Sequence, residues 1–344
     1  MQHHWLTWDE LSSQFPKDGE FRDGMRPVQE TGLRFVADKG SSILELPTGS
    51  GKTAIEVAIT RTARKNFKRA FLVTPTKAIA AQIIERFPND FTVALGRNDF
   101  PCFYYERDKT GLTVESETKF KADEIPCSML RDCPHRVNQE TGETFETGAI
   151  PCPYLKQKFD ARTTTKPVLA TLAFYLYSRL FSKDFPEPDV LIIDEAHRVP
   201  ETVRSALSYD ITDWHLEKAV ELLERAGQDG AAEALNRFRR RMISIVKKKP
   251  AHRGTLLSAE EITSLIDLLA DIDESAVRYA VSKAILDGVL DSKKEVDVLK
   301  KIEGVVGNLR RYIKSLEFSL PLANRGALAY TYAYHVEEKD DNDR

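Results

Sequence analysis

Apolar positions change their spacing twice along the chain. In residues 1–95 short apolar runs alternate with segments of three- and four-residue period. Ser42-Ile43-Leu44-Glu45-Leu46 reads as a strand, 53–63 as a helix, 70–74 as a second strand and 77–87 as a second helix. Apolar strands interleaved with helices predict a parallel sheet covered on both faces. The stretch 96–159 loses both periods and reads as loop. Strand character returns at 168–171 and 190–193. Between 201 and 320 the period is helical throughout. Leu216, Ala219, Val220, Leu222 and Leu223 form one stripe, Ile262, Leu265, Ile266, Leu268 and Leu269 a second, and Val296, Leu299, Ile302, Val305 and Val306 a third. No internal repeat is visible. The expected organisation is an α/β domain over 1–95 and 160–200, with 321–335 as a candidate addition, a loop-rich segment over 96–159, an all-α block over 201–320, and a disordered tail over 336–344.

Composition narrows the class without choosing a function. The 344 residues, with 42% hydrophobic and 30% charged, are ordinary for a globular protein of about two domains. The longest apolar-looking run, Val168–Tyr177, has 10 residues, against about 20 for a bilayer span. No membrane partner is expected, and no secretory leader precedes the first elements. The expected compartment is the cytoplasm, with the nucleus left open. Net charge is only −3, but it is unevenly spread. Eight basic residues and no acid lie between Arg237 and Arg253: Arg237, Arg239, Arg240, Arg241, Lys247, Lys248, Lys249 and Arg253. Such a tract is either a solvated helix face or a contact for nucleic-acid phosphates.

The cysteines are clustered. Cys102, Cys127, Cys133 and Cys152 fall within 51 residues, spaced C-x24-C-x5-C-x18-C. Each has a proline neighbour: Pro101, Pro126, Pro134, and both Pro151 and Pro153. Proline stiffens loops that present thiolates. A reducing compartment argues against disulfides. Four thiolates suit a structural zinc or an iron–sulfur cluster. His135 is a substitute ligand on paper but reads better as a loop histidine.

Two motifs carry chemistry. Pro47-Thr48-Gly49-Ser50-Gly51-Lys52-Thr53 lies between the first strand and helix. Amides of such a loop cradle phosphates, and the helix N-terminus adds its dipole. Lys52 would reach the β- and γ-phosphates and Thr53 would hold Mg2+. The first glycine of the strict motif is replaced by Leu46. The second motif, Ile192-Ile193-Asp194-Glu195-Ala196-His197, puts two carboxylates at the end of an apolar strand, where α/β sheets bind ligands. Asp194 would hold Mg2+, Glu195 would orient and deprotonate the attacking water, and His197 would sense a neighbouring domain or nucleic acid.

Gly-Ser-Gly-Lys-Thr with Asp-Glu-Ala-His resembles a superfamily-two helicase, and four cysteines between the two motifs resemble the XPD/DinG family of iron–sulfur DNA helicases. Arg26-Pro27-Val28-Gln29 is similar to the family's adenine-reading segment, and Thr74-Pro75-Thr76 with Gln82 to its nucleic-acid backbone motif. The resemblance spans roughly residues 22–325. It implies a RecA-like ATP-binding domain, a [4Fe–4S] domain at 96–159 held by Cys102, Cys127, Cys133 and Cys152, and a helical Arch at 201–320. It also implies ATP- and Mg2+-driven 5′-to-3′ movement on single-stranded DNA. Phe100, Phe103, Tyr104 and Tyr105 would then stack on bases or pack about the cluster. The second RecA-like domain is not visible, so the chain reads as the front half of such an enzyme, inactive alone, needing that domain in cis or from a separate chain. The Arch could also dock a protein partner. Two other readings stand beside this one: a DNA-binding or assembly subunit with a nucleotide site but no turnover, and a zinc-containing P-loop NTPase.

Overall fold

The computed structural model describes residues 5–106, 111–113, 116–125, 127, 129–130, 132–207, 212–251, 254–291, 317, 319–321, 324 and 332–333. The periodic segment 296–306, Arg253 and the tail 336–344 lie outside the described residues, as does most of 321–335. The chain divides into two compact units, Met1–Asp99 with His135–Ala206, and Phe100–Pro134 with Leu207–Arg344. The cysteine segment 96–159 is therefore shared between them. No described helix is long and apolar enough to cross a membrane.

The first unit is built on four strands, β1 (Ala70–Thr74), β2 (Thr92–Ala94), β3 (Val168–Thr171) and β4 (Val190–Ile193), in the order β2-β3-β1-β4. Every pairing is parallel, with Phe71 opposite Val168 and Leu191, and Thr92 also opposite Val168. Its helices are α1 (Trp8–Ser13), α2 (Pro27–Lys39), α3 (Lys52–Lys65), α4 (Lys77–Arg86), α5 (Pro153–Thr163), α6 (Leu172–Tyr177) and α7 (Val199–Leu207), the last ending at the unit boundary. Alternate strand residues enter opposite cores, as a period of two requires. Leu72 and Leu169 pack with Leu33, Ile55, Val57 and Ile83, whereas Phe71, Val73, Val168 and Ala170 pack with Leu172, Tyr175 and Phe185. Both faces are covered, which is why β1 and β3 carry no polar alternation. Thr76 and Thr171 cap α4 and α6, each hydroxyl accepting an amide of the first turn at 3.3 Å.

One expected strand is absent. Residues 42–46 run without a ladder, although Leu44 and Leu46 turn toward the core while Ile43 and Glu45 stay exposed. The alternation needed for one buried face is there, but the backbone is paired to no strand. β4 is consequently an edge strand among the described residues, half-buried rather than buried, with Leu191 40% exposed.

The second unit is mainly helical: α8 (Asp213–Arg225), α9 (Asp229–Val246), α10 (Ala259–Ala270) and α11 (Glu274–Leu286). The first two predicted stripes meet in one core, where Leu216, Leu222 and Leu223 pack with Leu235, Phe238, Ile262, Leu265, Leu269, Val277 and Val281. Ser258 starts α10 with a reciprocal cap, its hydroxyl accepting from Glu261 N at 3.2 Å and its own amide donating to Glu261 at 2.8 Å. Two short antiparallel pairs complete the unit, Pro101–Cys102 with Phe120–Lys121, and Thr255–Leu256 with Tyr332–Ala333.

Candidate functional site

The phosphate loop is a turn closed by Ser50 N donating to Pro47 O at 3.2 Å. Gly49 and Gly51 hold φ near +79° and +81°, which other residues adopt only with strain. Gly51 is also the N-cap of α3, so the helix starts directly behind the loop. A Cβ at Gly51 would sit 2.2 Å from Gln29 Nε2, so glycine is required twice over. Gln29 is fully buried beneath the loop. Its Oε1 accepts the Arg26 amide at 2.8 Å and its Nε2 donates to Gly51 O at 3.3 Å, while Arg26 Nη1 donates to Gly49 O at 2.7 Å. The two residues expected at the adenine hold loop carbonyls here. Thr48 is exposed on the loop and Thr53 is half-buried in the first turn of α3.

The second motif follows β4. Asp194 N donates to Val73 O at 2.9 Å, which carries the ladder one residue past the strand. Glu195 then adopts φ +51°, turning the chain off the sheet. Lys52 Nζ lies 3.5 Å from Glu195 Oε1, and His197 Nδ1 lies 3.3 Å from Glu195 Oε2 with the imidazole largely exposed. The N-terminus of α3 and the end of β4 thus meet at this ion pair. Burial pushes the Asp194 carboxyl up, and the Glu195 charge adds to that, against the Glu195 amide and Lys52.

A further carboxyl sits in the same place. Glu56, four residues after Lys52, is buried and pushed up to about 8, first by burial, then by Asp194, with Lys52 opposing. Its Oε2 has no hydrogen-bond partner, nor does the buried Oγ of Ser50 on the loop. The sequence did hold a signal for Glu56: it is the single charge among Ala54, Ile55, Val57, Ala58 and Ile59, all buried. A nucleotide-bound Mg2+ needs only one or two protein oxygens besides phosphate and water. Thr53, Asp194 and the unpaired oxygens fit that demand.

The four cysteines are all free thiols. Cys102, Cys127 and Cys133 share an apolar cluster with Tyr104, Ile125 and Leu130. Cys152 belongs to the other unit and caps α5, where Pro153 is the first helical residue. Burial pushes its thiol up, against the amides of Leu155 and Tyr154 and the Arg97 charge. His135 is occupied, with Nδ1 2.9 Å from Ile150 O and its carbonyl accepting Cys152 N at 2.7 Å. Among the described residues no three His, Cys, Asp or Glu side chains are gathered to hold a metal ion. The thiols suit a cluster in kind. Phe103 and Tyr104 are buried, and Tyr104 donates to Asp132 at 3.0 Å, so both serve packing.

Of the residues expected near nucleic acid, Gln82 is exposed on α4, whereas Thr74 is buried with its hydroxyl on Thr76 O at 3.1 Å. The basic tract falls on α9 and just beyond. Arg239 pairs with Asp213 at 3.0 Å and Glu217 at 3.3 Å, Lys249 with Glu261 at 2.8 Å, and Arg241 Nε donates to Ser264 at 3.1 Å. Arg237, Arg240, Lys247 and Lys248 remain exposed.

Residues 22–222 match the sequence profile of the family described as type III restriction enzyme, res subunit. Among solved structures, a chain described as "Truncated XPD" is similar at 16% identity and a TM-score of 0.40, over 76% of each chain. No curated protein matches the chain.

Proposed function

The chain belongs to the family of the type III restriction enzyme res subunit, a helicase-type family, and from that premise we propose that it is the nucleotide-binding part of an ATP-driven nucleic-acid motor. The observation that carries this reading is the meeting of Lys52, at the N-terminus of α3, with Glu195 at the end of β4, 3.5 Å apart. With ATP bound, Lys52 leaves Glu195 for the β- and γ-phosphates, and the amides of Gly49 to Thr53 take the remaining phosphate oxygens. Thr53 and Asp194 would hold a Mg2+ ion, which would supply charge neutralisation at the phosphates. Glu195, released from Lys52, then accepts a proton from the attacking water. His197, exposed and in contact with Glu195, links that base to whatever docks on the surface. Arg26 and Gln29 set the loop from below, and this is compatible with a base lying on the outer side of Arg26.

The finer reading is a 5′-to-3′ translocase of the XPD/DinG type on single-stranded DNA, completed by a second RecA-like domain in cis or from another chain. It is supported by the order of phosphate loop, cysteines, Asp-Glu-Ala-His and helical block. No catalytic step is assigned to a cluster. Counting iron per chain in anaerobically purified protein, with its visible spectrum, tests the [4Fe–4S] component: brown protein with about four irons per chain supports it, and colourless protein holding zinc overturns it. The function itself is tested by DNA-stimulated ATP hydrolysis, with the chain alone and with a second motor domain supplied. Hydrolysis lost in Glu195→Gln with ATP binding retained is the expected result. Failure of the wild-type chain to bind ATP would overturn the reading.

A further inference from the structure

Glu56 has no part in the mechanism above, yet its position is costly. It projects from α3 among Ala54, Ile55, Val57, Ala58 and Ile59, all buried. A buried acceptor without a partner lowers stability, and an apolar side chain of similar size would avoid that. Its carboxyl nevertheless lies close enough to Asp194, Lys52 and Glu195 to feel all three charges. Helical spacing puts it on the same face as Lys52 and next to Thr53. Ser50 Oγ, six residues earlier on the loop, is another buried oxygen without a partner. Two such atoms within seven residues, beside the residues that would meet phosphate and cation, indicate hydrogen-bonding capacity reserved for a polar ligand.

We propose that Glu56 is a positioning residue of the nucleotide site, its unpaired carboxyl oxygen hydrogen-bonding a water of the hydrated cation that Asp194 holds when Mg2+ and ATP are bound. The assignment rests on the nucleotide-binding reading. It makes Glu56 matter for the cation and not for the phosphates, which Lys52 and the loop amides bind without it.

The test measures the affinity of a fluorescent ATP analogue for the whole chain, in Mg2+ and in EDTA, for wild type, Glu56→Gln and Glu56→Leu. Glu56→Leu should lose up to about tenfold of the affinity gained from Mg2+ and nothing in EDTA, since one hydrogen bond is worth up to roughly that factor. Glu56→Gln, which keeps an oxygen at the same reach, should stay close to wild type. Thermal melting should show the Leu variant at least as stable as wild type. If Leu is not accommodated, Glu56→Ala replaces it with the same expectation for binding. An unchanged Mg2+ gain in Glu56→Leu, or an equal loss in EDTA, overturns the proposal. A wild-type chain that binds no analogue at all overturns the nucleotide reading, and this proposal with it.

Discussion

The nucleotide site and the basic helix α9 treat polar groups in opposite ways. At the site, Ser50 Oγ and Glu56 Oε2 are buried without partners and Glu195 sits at a positive φ. Along α9 and just beyond it three cations are satisfied, Arg239 by Asp213 and Glu217, Lys249 by Glu261 and Arg241 by Ser264, while Arg237, Arg240, Lys247 and Lys248 stay exposed. The difference separates stored function from structure. Unpaired buried oxygens reduce stability and persist where a ligand completes them, whereas the run of arginines is divided between residues that join helices and residues left to solvent. Charge density in a sequence is therefore a poorer guide to a site than polar capacity left unused inside.

The sharpest way to break the contrast is to remove Lys52, the cation proposed to meet phosphate. Lys52→Ala should abolish ATP binding, with an affinity loss of at least about a hundredfold, as expected when a charged phosphate contact is deleted. Arg239→Ala should leave ATP affinity unchanged. Titration with a fluorescent nucleotide checks both, and a Lys52→Ala chain that binds like wild type would end the phosphate-loop assignment.

A second effect concerns the stability cost of Glu56. Its folded-state pKa is about 8 against 4.5 for a free carboxyl. A raised acid pKa gives stability that is fully present below the unfolded value and is lost as pH climbs to the folded one. Wild type should lose stability between about pH 5 and pH 8 relative to Glu56→Gln, which cannot ionise. The gap should reach on the order of 4 kcal/mol, at about 1.4 kcal/mol per pKa unit. Urea unfolding at both pH values checks it, and a pH-independent gap would mean that Glu56 is not buried in solution.

Much of this fold is legible in the sequence, for reasons that can be named. β1, α3 and α4 were expected within a few residues of their observed bounds because apolar period, the glycine loop and Thr76 all agree. The stripes of α8 and α10 are core for the same reason. Residues 42–46 mislead because alternation fixes which side chains face the core, not whether the backbone finds a partner strand. Lys52, Asp194, Glu195 and His197 were visible as motifs, and they converge. Glu56 was missed because a single acid in a helix reads as a solvated turn until burial is known. The roles of Gln29 and Arg26 beneath the loop, and the separation of Cys152 from the other three cysteines by compact unit, depend on tertiary placement that no spacing encodes.

The exposed cations of α9 supply a gentler test. Arg237 and Arg240 lie one turn apart and both face solvent, with Lys247 and Lys248 further along. If this face contacts nucleic-acid phosphates, each lost contact lowers the salt slope of single-strand binding by about 0.7. The double change Arg237→Ala with Arg240→Ala should cut the slope by about 1.4 and weaken all sequences alike. Fluorescence anisotropy across a salt series measures it, with circular dichroism to show an unchanged helix. An unaltered slope would make the face a solvated surface or a protein-docking one.

The smallest expected effect belongs to Arg239, which tests the structural half of the contrast. Its guanidinium bridges Asp213 and Glu217 on α8, so its charge is already answered within the helix pair. Arg239→Ala should leave the salt slope for nucleic acid untouched, because the lost cation was not available to a phosphate. It should instead destabilise the chain by about 0.5–1 kcal/mol, the range for a partly exposed ion pair. That deficit should shrink in high salt, where such pairs are screened, while removal of Arg237 and Arg240 should cost no comparable stability, since neither is paired to an acid across the helices. Urea unfolding of the two variants at low and high salt separates the cases. A lowered nucleic-acid slope in Arg239→Ala would show that the ion pair opens on binding, and would move this residue from the structural set to the binding set.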